Sequence, residues 1–156
     1  MRPLFAALVL VSTAACSQES GAGPKSPHEP KWIEYGIAAD PTTTAPENVQ
    51  AFSELIGHLQ RKAPVKVELP LQRARVESAK RNVDQTGGPG AILRLDKRDA
   101  AQSEVLTAEH LDHELVVTVE GKVVSIGWIK DKLPGEFELA GRYTDNDLDQ
   151  ILKALE

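Results

Sequence analysis

Residues 115–128 read LVVTVEGKVVSIGW, two apolar runs folded about Glu120-Gly121. Side chains along a strand alternate between faces, and a two-residue loop pairs Val119 with Lys122. Counting outward sets Val117 against Val124, Leu115 against Ile126, and His113 beside Trp128. That face carries nearly all the large apolar groups and is expected in the core. The opposite face pairs Thr118 with Val123, Val116 with Ser125 and Glu114 with Gly127. It is small and mixed, and is expected to stay partly wet; the alternative is that residues 31–71 lie across it and make it a second core. Glutamate tolerates a positive φ poorly, and a bulge at Gly121 would shift this register and exchange the faces.

Working outward, KWIEYGIAA (residues 31–39) alternates apolar and polar side chains as a strand does. Thr44 with Glu47 three positions on has the form of a capping box, which predicts a helix with Val49, Phe52, Leu55, Ile56 and Leu59 on one face and Pro64 as its stop. VKVELPL (65–71) reads as a short strand, with Pro70 at an edge or its end. The glycines of QTGGPG (85–90) mark a turn before the strand AILRLD (91–96), and Asp96 caps a helix running through KRDAAQSEVLTAEH. After the hairpin come a loop at LPGE and a strand FELAGRY with Phe137, Leu139 and Tyr143 facing one way. Thr144 caps a last helix with Leu148, Ile151, Leu152 and Leu155 at i, i+3, i+4 and i+7. The fold class is α+β, an antiparallel-rich sheet with helices packed on one face. Trp32 and Trp128 are assigned to the core, because aromatic residues are few.

Near the start, residues 4–15 form an uncharged run behind Arg2. The run is too short for a membrane span, which needs about 20 residues, and suits the roughly 7–15-residue apolar region of a signal peptide. Thr-Ala-Ala-Cys (13–16), which contains the only cysteine, resembles the lipobox of bacterial lipoproteins. That resemblance implies cleavage before Cys16 and acylation of Cys16, whose three chains would anchor the protein to a membrane without spanning it. Ser17 stands where inner-membrane lipoproteins usually carry Asp, so the outer membrane, facing the periplasm, is the expected site. SQESGAGPKSPHEP (17–30) is a linker spanning on the order of 20 Å as a coil. The expected organisation is a signal peptide (1–15), a lipidated cysteine and linker (16–30), a strand-helix-strand segment (31–75) and a main domain (76–156).

Charge and motif content narrow the function. Lys and Arg number 18 against 23 Asp and Glu, which gives no basic stripe for nucleic acid. With Cys16 acylated, no thiol remains for disulfides. EHLDH (109–113) sets His110 and His113 three apart without a third ligand, and reads as a solvated helix end. Asp145, Asp147 and Asp149 lack the glycine of a calcium loop and suit a helix N-terminus. The glycines at 87, 88 and 90 precede a strand and so cannot cradle phosphate at a helix. No serine sits in a nucleophile elbow. No catalytic residue, metal or cofactor is assigned.

EGKVVSIGWIKDKLPGEFELAGRYTDNDLDQILKAL (120–155) resembles the end of the first periplasmic domain of SecD, a subunit of the bacterial protein-export translocon. Gly121, Lys122, Val123, Ser125, Ile129, Gly141, Thr144, Leu148 and Leu152 occupy corresponding places. Upstream, Val83-Asp84, the glycine turn, AILRLD, Ala100-Ala101 and Leu106-Thr107 follow the same order, so the likeness covers residues 76–156. Ile126-Gly127-Trp128 and Glu120 depart from the family pattern, and SecD's six membrane-spanning helices have no counterpart. The resemblance implies a head-like fold and, by analogy, a non-enzymatic binding module for extended, exported polypeptide; the mixed hairpin face of Val116, Thr118, Val123 and Ser125 is the expected surface. Two alternatives stand beside it: an envelope structural lipoprotein that binds a folded protein or cell wall, and a hydrolase with an unrecognised site.

Overall fold

A computed structural model describes residues 31–57, 64–84, 86–139 and 141–156. In chain order the elements are β1 (Trp32–Ile37), β2 (Val49–Phe52), β3 (Val65–Glu68), β4 (Gln72–Val83), β5 (Pro89–Leu95), α1 (Lys97–Glu109), β6 (Glu114–Val119), β7 (Lys122–Trp128), β8 (Glu136–Glu138) and α2 (Asp145–Ala154). Six strands form one antiparallel sheet in the order β7-β6-β1-β4-β5-β8, and β2 and β3 pair separately. β1 is central, so the segments on either side of residue 75 share one sheet.

One face of the sheet carries both helices. Ile33, Tyr35, Val76, Leu93, Leu95 and Val117 meet Leu148, Ile151 and Leu155 of the last helix there. Each such buried aliphatic side chain contributes about 1.5–3 kcal/mol. Asp96 caps α1 by accepting the N–H groups of Arg98 and Asp99, and Thr144 with Asp147 forms a complete capping box on α2. Within the region expected to be strand 137–143, the described residues pair over β8 and at the Leu139 N–H, which donates to the Ala91 carbonyl, and Phe137, Leu139 and Tyr143 all reach this core as anticipated.

Two expectations are corrected. No helix follows Thr44 over the described residues. A 3-10 turn at Pro46–Asn48 leads directly into β2, and the Thr44 hydroxyl donates to the Glu68 carboxylate instead of capping. The local cap signal is weak, whereas pairing β2 with β3 buries Phe52, Val65 and Val67 against the sheet. Leu59 lies outside the described residues. β3 lies so close to β1 that a Cβ on Gly36 would stand 2.8 Å from Val67 Cγ1.

The second correction concerns the hairpin register. Glu120 adopts φ 49° and Gly121 φ 76°, a tight turn that keeps Val119 opposite Lys122 and Thr118 opposite Val123. A bulge then intervenes: Val117 faces Ser125, Val116 faces Ile126, Leu115 faces Gly127 and Glu114 faces Trp128. The extra residue is Val124, and beyond it Ser125 and Ile126 exchange the faces expected of them. Ile126 packs beside Val116 in the second cluster, and Val124 joins the helix-side core.

Candidate functional site

The face expected to be open is covered. Val116 and Val123 are fully buried against Phe52, Val65 and Val67, because the β2–β3 hairpin lies across them. Thr118 is 1 % exposed, and its hydroxyl donates to the Glu34 carbonyl. Ser125 is buried on the helix side within reach of Tyr143. These four residues therefore face the protein interior. Cys16 lies outside the described residues.

Among the described residues, half of one sheet edge stays uncovered. Ile129 donates its N–H to His113 and accepts the N–H of Asp112, so along an antiparallel ladder Gly127 and Ser125 also turn their polar groups inward. Ile126 and Trp128 accordingly aim theirs away from the sheet. Past the bulge the edge is closed: the Val123 N–H donates to Glu54, its carbonyl accepts from Ile56, and the Val124 carbonyl accepts the Tyr143 hydroxyl. Among the described residues nothing pairs with the outward groups of Ile126 and Trp128. Edge strands left this way are templates for another chain.

Clefts flank this open half on both faces. On the helix side a cleft of about 270 Å³ is lined by Val117, Gly127, Trp128, Leu133 and Phe137. On the β2–β3 side a shallower one of about 660 Å³ is lined by Ala38, Pro64, Val65, Glu114 and Trp128. Trp128, assigned to the core by its residue type, is 60 % exposed between them, with Lys130 Nζ 5.5 Å from the ring centroid. An added strand would turn alternate side chains into the two clefts. The one sequence signal for this end is Glu114, the only charged residue of the strand through Val119.

The remaining motifs have local partners. His110 Nδ1 donates to the Leu106 carbonyl at 2.8 Å and His113 Nδ1 to that of Leu111 at 3.0 Å, with the two rings packed edge to face. Lys130 binds Asp112 and holds its carboxyl below the ordinary range. Asp145 and Asp149 both bind Arg81, while Asp147 belongs to the cap. Asp84 accepts the Thr86 hydroxyl and the N–H groups of Thr86 and Gly88, which makes the glycine stretch a closed turn.

The family described as SecDF, P1 head subdomain, matches residues 51–155. The chain belongs to the SecDF P1 head subdomain family. The match takes in the end of β2 and all of β3, which the resemblance over 76–156 did not reach. Among solved structures, one of SecDF, described as a membrane component that enhances protein export, superposes with a TM-score of 0.55 at 14 % identity, over 81 % of this chain and 62 % of that one. SecDF in its super-membrane-facing form gives 0.53 at 16 % identity, over 80 % of this chain and 18 % of that one. The P1 head fold is thus shared, and the chain spans less than two thirds of either structure's length. Comparison with curated protein sequences returns no match. No helix among the described residues is long and apolar enough to cross a membrane.

Proposed function

We propose that this chain is a non-catalytic, lipid-anchored module on the periplasmic side of the cell envelope that holds extended polypeptide at the open half of β7. The observation that carries this reading is the pair of outward-facing backbone positions, Ile126 and Trp128, set between two clefts. Main-chain hydrogen bonds at such an edge are indifferent to sequence, and the clefts accept side chains of varied shape. Kinship with a component that enhances protein export makes an unfolded client the fitting occupant. Acylation at Cys16 would keep the domain at a membrane surface facing the periplasm that exported clients cross.

Fluorescence anisotropy with an extended apolar-basic peptide tests the edge. Trp128→Ala should weaken binding by about tenfold, or roughly 1.4 kcal/mol, with circular dichroism unchanged. The same peptide N-methylated at alternate residues should lose binding to the unaltered protein, since it can no longer form the ladder. Equal binding of both peptides would remove the strand-addition reading. Binding confined to one folded envelope protein would favour a structural lipoprotein.

A further inference from the structure

The end of the sheet opposite Trp128 gathers cations. Trp32 pairs with Arg75 and Glu34 with Arg73, and both guanidinium groups stack on the Trp32 ring, at 4.7 Å for Arg73 and 5.9 Å for Arg75. Lys31 shares a cleft with Arg73 and Gly121. The Arg75 carbonyl accepts the Asp96 N–H, which brings the first residues of α1, the exposed Lys97 and Arg98, alongside. Lys31, Arg73, Arg75, Lys97 and Arg98 make no ion pair among the described residues, whereas Arg81, Arg94, Lys122, Lys130 and Lys132 each do. Asp96 and Asp99 lie nearby, but Asp96 binds the N–H groups of Arg98 and Asp99, and Asp99 binds that of Arg75. Glu34 and Glu120 line the cleft and temper its charge.

We propose that this Trp32–arginine face is the surface by which the domain docks on anionic phospholipid headgroups. A guanidinium fork engages a phosphodiester with two parallel hydrogen bonds, and among the described residues no carboxylate engages the fork of Arg73 or Arg75. Indole rings settle at headgroup depth, and the charge of Lys31, Lys97 and Arg98 adds attraction to an anionic leaflet. The polypeptide leading back to Cys16 departs from this same face: residues 17–30 end where Lys31 begins. An acyl anchor at Cys16, joined to this face through Lys31, would raise the effective concentration of the patch near the bilayer, so that weak docking suffices. β1 runs from Trp32 toward the Trp128 end, and its five steps span about 17 Å. Docking here therefore turns the open β7 edge away from the membrane. That orientation rests on the lipid anchor, but the patch's affinity for an anionic bilayer does not.

The test uses the mature chain carrying Cys16→Ser, so that no acyl chain contributes. It is sedimented with vesicles of phosphatidylcholine alone, or with roughly 30 % phosphatidylglycerol, at low ionic strength. Binding is expected to the anionic vesicles only, to fall as salt rises, and to drop at least tenfold in Arg73→Gln/Arg75→Gln with circular dichroism intact. Lys97→Gln/Arg98→Gln, at exposed positions, should weaken it severalfold and serves should the first pair fail to fold. No anionic-vesicle binding by the Cys16→Ser chain, or undiminished binding by folded variants, would overturn the proposal. So would displacement by inorganic phosphate equimolar with the lipid phosphate, which would mark a small-anion site. Detergent partitioning of the unaltered protein reports on the anchor separately, and its failure would leave the vesicle result standing.

Discussion

Tyr143 ties the last loop to the bulged strand. Its hydroxyl donates to the Val124 carbonyl, the group that the bulge turns outward. Burial pushes the phenol well above its ordinary 10.0, the main cause being desolvation, with a hydrogen bond to Ser125 pulling the other way. Because the charged form is the disfavoured one, the folded state holds its proton longer than the unfolded state. Stability is then fully present below the unfolded pKa and declines as pH rises past 10.0. Tyr143→Phe should cost about 1–3 kcal/mol at neutral pH by leaving a buried carbonyl unpaired, as read in urea melts. It should also make the alkaline decline shallower, with Tyr35, raised by burial in the same direction, keeping the remainder. Val116 makes the opposite point about legibility. Its small side chain and mixed neighbours read as a wet face, yet it is fully buried under Phe52, Val65 and Val67. Val116→Glu should therefore abolish the cooperative melt, since an unpaired buried charge costs more than about 3 kcal/mol.

Among the elements, α2 is the most readable from sequence alone. Thr144, Asp147 and the Leu148–Ile151–Leu155 stripe lie within one short segment, and each acts through local geometry. Thr144→Ala should lower stability by about 1 kcal/mol. Arg81→Gln should change it less than that, because the Arg81 contacts to Asp145 and Asp149 are solvent-exposed. Thermal melts of the two variants at matched salt give the comparison. α1 is cap-defined in the same way, but it sits on the sheet through Ala100, Leu106 and two buried hydroxyl residues, Ser103 and Thr107. Thr107 satisfies itself by donating to the Ser103 carbonyl and accepting the Leu133 N–H. The segment after Thr44 misleads for a physical reason. Val49 and Phe52 are spaced to suit a helix face, and nothing local distinguishes that from a strand whose partner arrives only at Val65.

Across the whole molecule, the sheet has one edge short and the other partly closed. β8 spans three residues, and β7 is shielded over Val123 and Val124 by Glu54, Ile56 and Tyr143. Among the described residues, that leaves Ile126 and Trp128 as the uncovered stretch of β7. Amide hydrogen exchange should be faster at these two positions than at Ser125 and Gly127 in the free protein, and should slow on adding an extended peptide. Equal protection at all four would mean that the ladder alternation assigned to β7 is wrong. At the scale of the envelope, Cys16→Ser should move the protein from the detergent phase to the aqueous phase or leave it unprocessed. Unchanged partitioning would refute acylation.

The amino-acid sequence by itself determined the caps at Asp96 and Thr144, the turn at Glu120-Gly121, the glycine turn before β5, and the α+β class with helices on one face. These are interactions closed within a few residues, so their chemistry is written where they occur. Tertiary structure alone decided three further features. It placed the bulge at Val124, where the extra residue is fixed by packing into the helix-side core and by the Tyr143 hydroxyl. It laid the β2–β3 hairpin over Val116 and Val123, because apolar surface on either side of the sheet is stabilised by whichever segment reaches it. And it left Trp128 in water while Val123 was covered, since the cover extends only as far along the strand as β2 and β3 do. Burial is a property of distant neighbours, and alternation along a strand names two faces without saying what lies against either.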